Sequence, residues 1–254
     1  MLEIVQIPVL TDNYIYLLHD PDASQTAVVD PAEAAPVLAA LEARGWTLDL
    51  ILNTHHHGDH VGGNLALKAA TGCRIIGPAA DKARIPGIDK TVADGDKVSV
   101  GASTASVFDI PGHTRGHIAY HFAQDEALFC GDTLFAMGCG RLFEGTPYQM
   151  VQSLAKFAPL PGTTRVYCAH EYTENNGRFA LDIEPRNATL ALRMRGVQQM
   201  RAEGRPTIPT TLAEERATNP FLRCEDSRLK RALGMQDANP VDVFTELRAR
   251  KDKF

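Results

Sequence analysis

The chain has 254 residues, of which 44% are hydrophobic and 22% charged, with a formal net charge of −5. That length buries a sizeable core in one large domain or two, the acidic balance argues against a nucleic-acid partner, and no run of about 20 apolar residues is present to span a membrane. MLEIVQIPVL at the N-terminus lacks a basic segment, a long apolar segment and a small-residue cleavage site, and the five cysteines form no CxxC pair, so a cytoplasmic, reducing setting is expected.

In chain order, residues 25–30 (QTAVVD) read as a strand. Residues 32–44 read as a helix, with Pro36 early and Gly45 just past its end. The apolar run 50–52 (LIL) reads as a buried strand and leads into THHHGDH, residues 54–60, which holds four of the nine histidines. Alternate residues of an extended chain point the same way, so His55 and His57 project together and His56 points away. Gly58 lets the backbone turn. Asp59 and His60 then sit at the start of a helix expected over 61–70 and ending near Gly72.

Short strands follow over 73–76, 97–100, 106–110, 118–122, 127–130 and 165–168. Three of them end just before a metal-binding side chain: His113 after Pro111-Gly112, Asp132 after Gly131, and His170 after Ala169. A single His or Asp after a strand is usually a turn or cap residue. Four strand ends that all deliver ligand types imply one site along one edge of a rigid scaffold.

Beyond residue 173 the strand signal disappears. A helix is expected over 187–203, with Leu190, Met194, Val197 and Met200 on one face and Gly204 at its end. Thr211 to Glu214 (TLAE) fits a capping box, residues 226–233 end at Gly234, and Asn239-Pro240 fits an N-cap followed by proline at the first helical position. The expected division is a catalytic domain over 1–172 and a small helical domain over 173–254, too short to be stable alone.

THHHGDH, PGHTRGH (residues 111–117), Asp132 and His170 together resemble the metallo-β-lactamase superfamily. The segments 11–14 (TDNY), 131–135 (GDTLF), 138–141 (GCGR), 170–173 (HEYT), 219–221 (NPF) and 248–252 (RARKD) are similar to one of its families, glyoxalase II or hydroxyacylglutathione hydrolase. The resemblance runs essentially from end to end. It implies an α/β fold, a four-layer αββα sandwich with a small C-terminal all-helical domain.

The resemblance also implies a site. His55, His57 and His113 would bind one metal ion, Asp59, His60 and His170 a second, and Asp132 would bridge them. Seven protein ligands are too many for one tetrahedral ion and suit two ions that share a carboxylate. The expected cofactors are two divalent ions, zinc first, with iron or manganese also compatible with the donors. Two carboxylates neutralise only half of the charge of two dications, which favours a bridging hydroxide as nucleophile at neutral pH. The implied reaction is hydrolysis of S-D-lactoylglutathione to D-lactate and glutathione, the second step of methylglyoxal detoxification. A thiol with pKa about 8.5 leaves without a strong general acid, and after the ligands are assigned no acid or base stands out. Arg141, Phe143, Tyr172, Arg248 and Lys251 fall where the family holds glutathione; Arg248 and Lys251, three apart on a helix, share a face. Some family members carry Lys and Tyr where this chain has Arg141 and Phe143, so a hydroxyl is lost.

The remaining candidates read more plainly. Asp30 is either a brace behind a ligand or a helix cap. His117 is expected to make structural hydrogen bonds, His56 and His121 not to be ligands, His19 to lie at the surface, Trp46 to pack, and Cys130, Cys139 and Cys168 to be small buried residues. A monomer without nucleic-acid or membrane partners is expected. Alternatives within the superfamily are hydrolysis of another thioester, or a persulfide dioxygenase with one iron and fewer ligands. A β-lactamase would normally be exported, a nuclease would want a basic surface, and a non-catalytic relative would lack a ligand.

Overall fold

The computed structural model describes residues 1–254. The first sheet runs in the order β1 (Glu3–Val9), β2 (Asn13–Asp20), β3 (Gln25–Val29), β4 (Leu50–Leu52), β5 (Arg74–Pro78), β6 (Lys90–Val92). β1 to β3 are antiparallel neighbours, and β3 to β6 run parallel. The second sheet uses β7 (Lys97–Val100), β8 (Ser103–Asp109), β9 (Ile118–Phe122), β10 (Ala127–Gly131), β13 (Arg165–Cys168) and β14 (Thr210–Thr211). Between β10 and β13 a small hairpin, β11 (Leu134–Phe135) and β12 (Gly138–Cys139), stands apart from both sheets.

Strand periodicity separates the layers. On β2, Tyr16 and Leu18 face inward to the shared core with Val107, Tyr120 and Phe129 of the second sheet, whereas Ile15 and Leu17 face outward. The outward set, with Val28, Ile51 and Ile75, packs on Val37 and Leu41 of α1 (Ala34–Glu42) and Leu67 of α3 (Asn64–Thr71). The far side of the second sheet is covered by α4 (Pro147–Ala155) and by the C-terminal helices α5 (Thr173–Ile183), α7 (Leu212–Thr218), α8 (Ser227–Leu233) and α9 (Pro240–Lys251), while α6 (Ala188–Ala202) packs on α5 through a separate cluster of Leu190, Met194 and Val197. The result is the expected αββα sandwich with helices following it.

Two local expectations are met, the capping box at Thr211 and Glu214 and the N-cap at Asn239, and Asn187 and Asp226 also cap their helices. Three points differ. The helix expected over 61–70 is two pieces, α2 (Gly58–Val61) and α3, broken at Gly62 and Gly63. A Cβ on Gly62 would lie 2.5 Å from the Ala32 carbonyl oxygen, so the chain is pressed onto the turn before α1. Thr210–Thr211 form a short strand that pairs with β13, so the mainly helical segment adds an edge to the second sheet. His19 is buried, stacked on Trp46 with ring centroids 4.1 Å apart, because the apolar ring face has a large partner.

The helices also shape the small hairpin. Asn219 donates to the Phe135 and Gly138 carbonyls at 3.1 and 2.9 Å, and Glu215 accepts from the Met137 backbone N–H at 2.7 Å. These buried bonds hold β11–β12 as a wall beside the C-terminal ends of β10 and β13.

Candidate metal centre

All seven side chains expected as ligands meet at the ends of β4, β10 and β13 and in the loop after β8. These strands end on the same side of the sandwich, so four distant stretches of sequence converge. His57 Nδ1 lies 3.1 Å from His55 Nε2 and 3.0 Å from His113 Nε2. His113 Nε2 is 3.3 Å from Asp132 Oδ2. The other carboxylate oxygen, Oδ1, faces His60 Nε2 at 3.5 Å and His170 Nε2 at 3.4 Å, and Asp59 Oδ2 is 3.6 and 3.5 Å from the same two nitrogens. The two oxygens of Asp132 therefore look into two adjacent donor sets, and the carboxylate is shared between them.

Hydrogen bonds behind the rings fix which nitrogen is bare. His113 Nδ1 donates to the Arg141 carbonyl at 2.8 Å, His60 Nδ1 to Asp30 Oδ2 at 3.0 Å, and His170 Nδ1 to Asp12 Oδ1 at 2.8 Å. Thr54 Oγ1 donates to Asp30 at 2.6 Å and so accepts from His55 Nδ1 at 3.0 Å. In their neutral form these four rings would thus turn a bare Nε2 to the centre, as a metal ligand requires. Three imidazole nitrogens within 3.1 Å cannot all be satisfied by the one proton His57 Nδ1 could carry. His60 Nε2 and Asp132 Oδ1 are buried without a hydrogen-bond partner. Unpaired buried donor atoms of this kind are costly unless a cation satisfies them, so the residues fit a pair of divalent ions.

The electrostatics agree. Burial, then His60, depresses the His55 imidazole well below its ordinary range, and burial, then His113, takes His57 down to about 4. Burial also pulls His60 down, but Asp132 and Asp30 outweigh it and lift the ring well above the usual value. Burial pushes the Asp132 carboxyl up, yet His60 and His170 hold it far below the carboxylate range. One donor set stays neutral, while the acidic set draws positive charge into the space between.

Asp30 is a brace: it accepts from the Thr54 N–H and hydroxyl and from His60, in a left-handed backbone conformation at φ 49°. His117 accepts from the Asp132 N–H at 3.1 Å and stacks on His55. Gly131 is required before Asp132: φ is +48°, and a Cβ there would sit 2.3 Å from Thr54 Oγ1. His56 turns away to Asp81 Oδ2 at 3.0 Å, His121 stacks on Phe108 away from the site, and all five cysteines are buried and unpaired.

A cleft of about 560 Å³ opens over the centre and is lined by His57, Asp59, His113, Asp132 and His170. The five residues expected to hold substrate, Arg141, Phe143, Tyr172, Arg248 and Lys251, line the same cleft. Tyr172 lies flat on His170, with centroids 4.7 Å apart, and Phe143 meets His57 and His113 edge-on. Arg248 is buried; it donates to the Cys139 carbonyl at 2.9 Å and pairs with Asp252. Lys251 donates to the Asn175 carbonyl at 3.3 Å and lies 5.1 Å from the Phe254 ring centroid. Burial, then Arg248, lowers its pKa to about 8. Sequence reasoning gave no role to Asp12, Asn13, Asn175 or Phe254, since isolated polar or terminal residues carry no periodic signal.

A sandwich with this ligand set at its edge defines the metallo-β-lactamase superfamily, whose family model matches residues 10–170. The model described as hydroxyacylglutathione hydrolase C-terminus matches residues 171–254. A hydroxyacylglutathione hydrolase of Methylococcus capsulatus is 59% identical across 100% of this chain and 99% of its own. The chain belongs to the hydroxyacylglutathione hydrolase family. Among solved structures, ETHE1 from Myxococcus xanthus is similar at a TM-score of 0.66 and 25% identity, covering 99% of this chain and 98% of that one. The BLEG-1 B3 metallo-β-lactamase has a TM-score of 0.67 at 24% identity, with 87% of this chain and 99% of that one covered, a likeness of fold. No helix is long and apolar enough to cross a membrane.

Proposed function

We propose that the protein is a dinuclear metal-dependent thioester hydrolase that cleaves S-2-hydroxyacylglutathione, S-D-lactoylglutathione first among them, to the 2-hydroxy acid and glutathione. The single observation that carries this reading is one cleft that opens onto the cluster of seven candidate ligands and carries a cationic rim. When bound, two divalent ions supply Lewis-acid polarisation of a carbonyl and a water nucleophile at neutral pH.

The protein residues do the rest. His55, His57 and His113 with Asp132, and Asp59, His60 and His170 with the same Asp132, form the two ligand sets. Five imidazoles among seven donors favour zinc. Arg141, Arg248 and Lys251 place positive charge where a glutathione carboxylate would lie, and Tyr172 and Phe143 supply apolar walls on either side. The catalytic part spans 1–172, and the helical part, 173–254, delivers the cationic grip. The working unit we propose is a monomer, and five unpaired cysteines suit a reducing cytoplasm. The presence of both ligand sets favours this reading over a persulfide dioxygenase with fewer ligands.

The test is hydrolysis of S-D-lactoylglutathione by the zinc-loaded protein beside a cephalosporin and a phosphodiester. Turnover of the thioester alone is expected; a protein that cleaves either of the others and leaves the thioester intact refutes the proposal.

Two smaller outcomes follow. Lys251 is charged below about pH 8 and neutral above it, so its attraction for a carboxylate is complete below that pH and fades above it. The plot of kcat/KM against pH is expected to fall on an alkaline limb near 8, and Lys251→Arg should move that limb out of range, because arginine does not titrate there. Phe143 is 63% exposed at the cleft. Phe143→Tyr restores a hydroxyl, and one hydrogen bond of about 1 kcal/mol should lower KM roughly five-fold; an unchanged KM in steady-state kinetics would show that the ring edge does not meet substrate.

A further inference from the structure

We infer that the tip of the β1–β2 hairpin, Asp12 and Asn13, is the positioning device for one of the two ion sites, that of Asp59, His60 and His170. This rests on the two-ion reading above. Neither residue is itself a ligand in either donor set.

Two consecutive side chains of the tip each hold a different ligand of that set. Asp12 Oδ1 accepts from His170 Nδ1 at 2.8 Å, which fixes the tautomer and turns Nε2 toward Asp59 and Asp132. The Asn13 amide donates to Asp59 Oδ2 at 3.0 Å and to the Asp59 carbonyl at 3.4 Å. Asp59 sits at the exposed start of the four-residue α2, its side chain 39% accessible, and the Asn13 amide is the one hydrogen-bond donor that reaches its carboxylate. Without that bond an exposed aspartate has several rotamers of similar energy, and one of them is the ligating one.

The tip itself is rigid for reasons independent of these side chains. Tyr14 N–H donates to the Ala169 carbonyl at 2.7 Å, and Glu171 N–H donates to the Asp12 carbonyl at 2.8 Å, flanking an isolated bridge between Asn13 and His170. Tyr14 Oη donates to Glu171 at 2.7 Å, and Glu171 accepts from Thr207 N–H at 2.8 Å. The hairpin of the first sheet is thus tied by backbone to the ligand-bearing end of the second, and its two side chains reach His170 and Asp59 from that fixed base. The other donor set has no part in this: His113 is held by the Arg141 carbonyl and His55 by Thr54. Asp30 supports both sets, through His60 directly and through Thr54 to His55.

The experiment is competitive zinc titration of the full chain against a chelator, on the unaltered protein and on Asp12→Ala, Asn13→Ala and Asp12→Asn, with X-ray absorption of samples holding one ion. Loss of a group that orients a ligand weakens metal affinity about 10–100-fold. In both alanine variants one of the two dissociation constants is expected to rise by that factor, while the other changes by less than about three-fold on the same scale. The ion that stays should show three imidazoles, the number in the His55, His57 and His113 set. Asp12→Asn keeps an acceptor oxygen for His170 and should retain both ions, which loss of general structure would not produce. Two unchanged affinities, two affinities that fall together, or a retained ion with two imidazoles would overturn the inference. Should one alanine variant fail to fold, the other decides alone. If the unaltered protein binds fewer than two ions, it is the two-ion reading that fails.

Discussion

Asp132→Ala is expected to lose bound metal and almost all hydrolysis together. Asp132 is the one side chain whose two oxygens face different donor sets, at 3.3 Å to His113 and 3.4 Å to His170. It is buried, and the His60 and His170 rings beside it hold its carboxyl far below the usual carboxylate range. Removing it leaves either set with donors but no shared anion. Two dications bound at both sets would then repel without the carboxylate that screens them. Lewis-acid stabilisation supplies several kcal/mol, so kcat/KM should fall on the order of 1000-fold at 1.36 kcal/mol per factor of ten. Metal analysis and thioester kinetics on the same sample check this. Full metal content with full activity would remove Asp132 from the bridging role.

The second large effect is on binding. Lys251→Ala should raise KM about 10–100-fold and change kcat little. A charge-assisted hydrogen bond to a carboxylate is worth about 1.5–3 kcal/mol, or one to two factors of ten in affinity, and a contact equal in ground and transition states appears in KM alone. Arg248→Ala makes the contrast. Its guanidinium is buried, bonded to the Cys139 carbonyl and stacked 5.4 Å over Phe221. Its removal should lower kcat as well, because the β12 wall of the cleft loses a support. Steady-state kinetics on the two variants separates a substrate grip from a strut; equal loss of kcat in both would argue against a carboxylate contact at Lys251.

The sequence made the candidate metal ligands legible because their chemistry is rare and their context repeats. His55 and His57 alternate on an extended segment, and His113, Asp132 and His170 each follow an apolar strand. Composition and spacing alone stopped there. They did not show that Asp132 is shared or that Arg248 and Lys251 face the same cleft; those followed from family resemblance, and the cleft now contains them all. The braces were less visible. Asp30 could be read as a helix cap until its three hydrogen bonds to Thr54 and His60 appeared. Asp12 and Asn13 sit in a turn whose polar residues satisfy backbone groups in most proteins. Their partners lie 158 and 46 residues away, a distance no local pattern encodes. α4 went unread although Thr146 and Gln149 form a capping box with Pro147 at the first helical position, a signal present in the text but not followed by a strong apolar stripe. Gly62 and Gly63 divided one expected helix into two through close packing on the turn before α1, a tertiary effect invisible to periodicity.

The most direct test of the account is stepwise return of zinc to chelator-treated protein while S-D-lactoylglutathione hydrolysis is followed. Activity should climb with added metal and level off at two equivalents per chain. A plateau at one equivalent, or a thioester that stays intact at every ratio, would contradict a hydrolytic centre built on two cations that share Asp132.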